Sequence, residues 1–268
     1  MQIPTYTLRL AGCAALLACA ACGSADSRTE TGGAPSDTAG AGGAVSVTPA
    51  AGAGMGAIRD LLFGDVPLKE WAASGARIQA EPWTSFVRAN EVIEAGKPAD
   101  ALPILTGITK QPGLESRHYL QAYSALRTHL GAAPGAPEGN QVLGVVVEVQ
   151  LEQGLDVVAA YADHRARYIN QAGGGIVWEA SDSSMNASID QMIAAGRAIA
   201  ERFAPLDTPH PPPPPPGQAR VSVLTPRGIR TGQGVMDELM RDPSAGPAVR
   251  AAFDVMTQLM AKAQNAPR

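Results

Sequence analysis

Between residues 130 and 145 the hydrophobic period of the chain changes, and that change limits the fold more than any other feature. Upstream, Phe86, Val87, Asn90 and Ile93 share one helical face and Gly96 supplies a stop. Pro98 opens a second helix carrying Ala101, Ile104, Leu105 and Ile108, closed by Pro112-Gly113. A third, over residues 114–130, has Tyr119, Tyr123, Leu126 and Leu130 as its stripe. Past a Gly/Pro-rich loop, Val145, Val147, Val149 and Leu151 alternate with Val146, Glu148, Gln150 and Glu152, the pattern of a strand with one buried face. A helical period followed by a period of two predicts an α+β fold: N-terminal helical hairpins, then an antiparallel sheet covered by helices on one face.

The strand signals continue as a meander. Gln153-Gly154 turns the chain into residues 155–161, Asp163-His164 turns it again, and Gly173-Gly174-Gly175 leads into Ile176-Val177-Trp178. A helix capped by Ser184 or Asn186 follows, with Ile189, Met192, Ile193, Gly196, Ile199 and Phe203 inward. Residues 209–217 hold His210 and six consecutive prolines, which read as a stiff polyproline connector of about 20 Å. A second hairpin around Pro226-Arg227-Gly228 precedes a short helix. A final helix presents Val249, Ala252, Phe253, Met256, Leu259 and Met260 to the core.

All three cysteines, Cys13, Cys19 and Cys22, fall in the first 22 residues, so the body at 57–268 has no thiol chemistry. Arg9 followed by the apolar run at 10–18 is too short to span a membrane and reads as an export signal. Leu16-Leu17-Ala18-Cys19 resembles the lipobox of bacterial lipoproteins, which implies cleavage and lipidation at Cys19. Cys22, followed by Gly23-Ser24, is the alternative, and simple cleavage to a soluble periplasmic or secreted protein is a third outcome. Neither cysteine precedes Asp, which by the same resemblance implies an outer-membrane address in a Gram-negative cell. Residues 23–56 are rich in Gly, Ala, Ser and Thr and are expected to form a disordered tether. The run from Glu94 to Leu105, with Pro112 after it, resembles the turn and second helix of a tetratricopeptide hairpin within a helical region at 57–135. One and a half such units cannot stack alone, so these helices must lean on the domain at 140–268.

A formal charge of -4, with no basic stripe, argues against nucleic-acid binding. His118, His129, His164 and His210 form no metal-ligand spacing, the nucleophile-elbow pattern is missing, and no motif calls for a cofactor. The remaining chemical candidates are His164 with Asp163, and Glu148 and Glu179 as acid and base partners across the sheet. Arg165 and Arg167, or Gly232 and Gly234 ahead of a helix, are the candidates for holding an anion. The tether and the lack of a catalytic set predict a membrane-anchored, non-catalytic module that binds a protein or small ligand through its hairpins and an exposed sheet face. The alternative is a hydrolase, with or without a metal, centred on His164 and Asp163.

Overall fold

The computed structural model describes residues 45–47 and 55–265, so the lipobox, Cys19, Cys22 and most of the expected tether lie outside the described residues. Five helices precede the main strands: α1 (Met55–Asp60), α2 (Leu68–Ser74), α3 (Trp83–Glu94), α4 (Pro98–Lys110) and α5 (Ser116–Leu130). A short strand, β1 (Val45–Val47), comes before them. After them run β2 (Gly144–Leu151), β3 (Gly154–Tyr161), β4 (Ala166–Ile169) and β5 (Gly175–Trp178). The remainder is α6 (Asn186–Arg202), β6 (Gln218–Thr225), β7 (Gly228–Val235), α7 (Met236–Arg241) and α8 (Gly246–Gln264).

The strands make one antiparallel sheet in the order β1-β5-β4-β3-β2-β6-β7. The two-residue turns Glu152-Gln153 and Pro226-Arg227 set its register, pairing Leu151 with Gly154 and Thr225 with Gly228. The glycine-rich turn after β4 is held by Asn170, whose Oδ1 accepts from the backbone N–H groups of Ala172 and Gly174. The fold class is α+β, as the change of period requires.

The sheet is covered on both faces, not one. Val145, Val147, Val158, Ala160, Val221 and Val223 pack against α6 and α8. Val146, Val157, Ala159, Tyr161, Leu224 and Ile229 pack against the N-terminal helices. The expected polar face of β2 is therefore interior, and Val146 and Glu148 are both fully buried. Among the described residues the central strands β2, β3 and β6 leave no wide face open for a partner. Gly196 lets α6 approach the strands closely, because a Cβ there would come within 2.7 Å of the Val145 side chain.

Three expectations about helix faces are corrected. The helix α5 is buried from Leu120 to Leu126 rather than along one stripe, because it lies between neighbouring helices and the sheet, whereas Tyr119 and Leu130 are only partly covered. Phe203 and Phe253 are each 37% exposed and do not join the core. At the start of α6 Met185 takes the N-cap position and no side chain caps the helix; Ser184 bonds to Asp182 instead. The short helix α2 went unforeseen, and its Leu68 and Trp71 are core residues.

Candidate functional site

The residues singled out from sequence fall in three places. The β3–β4 turn puts His164 at a positive φ of 64°, and its Nε2 lies 3.0 Å from Asp190 Oδ1 on α6. Asp163 accepts from the Ser116 backbone N–H at 2.8 Å and from Arg165 Nη1 at 3.1 Å, tying the turn to the start of α5. Glu179 accepts from Arg165 at 2.8 Å and Arg167 at 2.6 Å, and Arg167 also donates to the Trp178 carbonyl at 2.8 Å. Asp163, Arg165, Arg167 and Glu179 are thus brought together with Glu115 into a network in which every charge has an opposite partner. Such a network ties strand ends to α5 and leaves no acid or base waiting for a substrate.

Glu148 does not join them. Gly144 pairs with Tyr161 at that end of the sheet, and Glu148 lies four residues farther along β2, about 13 Å away at ~3.3 Å per residue. It accepts from Arg59 Nε at 2.6 Å and from Arg220 Nη1 at 3.5 Å, with all three residues buried. Gly232 and Gly234 sit inside β7, paired with Val221 and Ala219, rather than in a turn that presents N–H groups to an anion.

The two arginines on Glu148 hold the proline segment. Arg59 Nη2 donates to the Pro211 carbonyl at 2.7 Å, and Arg220 Nη1 to that of Pro212 at 2.7 Å. Proline offers carbonyls but no N–H, so side-chain donors are what can pin such a run laterally. Its ends are fixed by the Leu206 N–H on the Ile229 carbonyl and the Gly217 N–H on the Gln150 carbonyl. Residues 206–217 therefore form a strap laid across the body.

His210 sits at the middle of the strap. Its Nδ1 is 2.5 Å from Asp65 Oδ1, its Nε2 is 2.9 Å from Asp60 Oδ1, and its backbone N–H donates to Asp65 Oδ2 at 2.7 Å. The ring stacks on Phe63 with centroids 4.3 Å apart and planes within 7°. A carboxylate at each ring nitrogen is the environment of an imidazolium, which has two N–H donors. Burial alone pushes the His210 pKa down, but the bond and charge of Asp65, with Asp60 beyond, outweigh it and hold the pKa above the ordinary imidazole value.

Beside this contact opens a cleft of about 610 Å³, bounded by the α1–α2 link, α3, α5 and the strap. That volume is within the range of small-ligand sites. Its floor includes Leu61, Val66, Leu68, Ile93 and Ala125, and its rim carries Asp60, Lys69, Glu70 and Glu94. Lys69 pairs with Glu94 at 2.9 Å, and both are exposed. In the wall, Gln121 is 1% exposed; its Nε2 donates to the Val66 carbonyl at 2.8 Å, while its Oε1 has no partner among the described residues.

Sequence reasoning missed this site because its parts are distant: Asp60 and Asp65 are 150 and 145 residues from His210. The available signals were a histidine opening a proline run and acids punctuating the apolar cluster at 58–68. Among the described residues no group of three or more His, Cys, Asp or Glu could hold a metal, and no helix is long and apolar enough to cross a membrane. Comparison with protein-family profiles, curated proteins and solved structures returns no match.

Proposed function

We propose that the chain is an exported, lipid-anchored module of the cell envelope that binds a small ligand, without transforming it, in the cleft between α1, α3, α5 and the strap. The observation that carries the reading is the cleft itself: an apolar floor under a rim of charged side chains. Such a combination of apolar area with a few oriented polar groups is what small-molecule recognition uses. A hydrolase built on His164 and Asp163 gains no support from the geometry. Asp163 is held by Ser116 and Arg165, and His164 faces only Asp190 at the surface.

Anchoring rests on the resemblance of Leu16-Leu17-Ala18-Cys19 to a lipobox. Mass spectrometry of the mature N-terminus should return a diacylglyceryl-modified Cys19 or Cys22; an unmodified N-terminus beyond residue 22 would remove the lipid. For the cleft, Thr128→Trp places an indole at the mouth from an exposed position on α5, outside the core. Saturation-transfer NMR with a mixed fragment library should give binders to the parent that are lost in this variant. A library with no such binders would refute a ligand site here.

A further inference from the structure

We infer that the ligand of this cleft is a small organic amine, an ammonium group carried on an apolar body; the inference rests on the binding role proposed above and gives it a chemical class. The charges around the opening are unbalanced. Asp60, Asp65, Glu70 and Glu94 face three partnered cations, Lys69, the His210 ring and, behind Asp60, Arg59, with His129 beside them. Asp65 is spent on His210 and Glu94 on Lys69. Asp60 is 42% exposed at its side chain, and Oδ1 alone takes both Arg59 and His210, leaving Oδ2 without a hydrogen bond among the described residues. The Glu70 carboxylate has no ion pair or hydrogen bond among the described residues, its backbone N–H alone being taken by the Pro67 carbonyl. The rim therefore offers acceptors and negative charge, and an acidic ligand would meet like charge.

The apolar floor fixes the rest of the ligand, since a bare ammonium ion would leave Leu61, Val66 and Ile93 facing water. An arylalkyl or alkyl amine satisfies rim and floor at once.

The test is calorimetric titration of the full chain with 2-phenylethylamine, its neutral counterpart 2-phenylethanol and its anionic counterpart 3-phenylpropionate. The amine is expected to bind at least tenfold more tightly than either counterpart and to weaken as salt is raised. Glu70→Gln, at an exposed position, should weaken it at least threefold, and Thr128→Trp should abolish it. If the alcohol or the carboxylate binds as well as the amine and is still lost in Thr128→Trp, the amine assignment is overturned while the cleft reading stands. Amine binding that ignores Thr128→Trp overturns the assignment by placing the site elsewhere. A chain that binds none of these probes, and no other fragment at the cleft, overturns both.

Discussion

Replacing Glu148 by glutamine tests whether the strap is held by charge. Gln has nearly the same shape, and its Oε1 can still accept from Arg59 Nε, so the substitution removes a negative charge without opening a cavity. What remains is two buried guanidinium groups, Arg59 and Arg220, side chains 4% and 6% exposed, converging on a neutral side chain. Breaking a buried pair by removing one partner costs about 3–5 kcal/mol. For a domain of this size each kcal/mol shifts Tm by roughly 2–4 °C, so the expected loss is about 6–20 °C. Thermal unfolding followed by circular dichroism reads it. Because both arginines also donate to Pro211 and Pro212, hydrogen exchange at the Leu206 and Gly217 amides should accelerate in the variant more than exchange in α8. A Tm within about 2 °C of the parent, with unchanged exchange, would show that Glu148 does not organise the arginines and that the strap is held by its ends alone.

His210 of the strap and His118 of α5 should give stability opposite pH slopes. His210 has a raised folded pKa, so its contribution is fully present below the unfolded value of about 6.5 and fades as pH climbs through the folded value; the Tm gap between parent and His210→Gln should narrow from pH 5.5 to 8.5. His118 is the reverse: burial, with Arg117 adding to it, lowers its pKa against the pull of Glu115. Stability should fall as pH drops below about 6.5, and His118→Phe should remove that loss in an acid melt; an unchanged acid limb would contradict the assignment. Gly64→Ala should cost roughly 2–5 kcal/mol by denaturant unfolding, since a Cβ at φ +62° would sit 2.7 Å from the Leu120 Cβ; a loss under about 1 kcal/mol would mean that the α1–α2 link yields.

The sheet and its helices were legible where local period decides structure: the valine alternation at 145–149, the Gly96 stop and the Pro98 start all correspond to observed boundaries. Burial was legible only in part. Period two shows that side chains alternate, not what covers each side: N-terminal helices cover Val146, and the partner of Glu148 is Arg59, 89 residues earlier. A glutamate inside a run of valines reads as the wet side of a strand until its two arginines are known. The His164 cluster was found as a cluster because its members are close in sequence, and the same closeness lets them neutralise one another. The strap contacts and the cleft depend on which distant segments meet, and no window along the chain contains them.

The cleft draws its walls from residues 57–70, 90–94 and 121–129, then waits for Pro209 and His210. Helical hairpins form from neighbours in sequence and do so early, whereas closing a loop of about 145 residues carries an entropic cost that must be met before its contacts reward it. Loop-closure entropy therefore predicts that the cleft is completed late, once the strap between α6 and β6 has been drawn across the N-terminal helices. On the proposed binding role, recognition would report on assembly: a ligand of the cleft would, by mass action, stabilise only the finished chain.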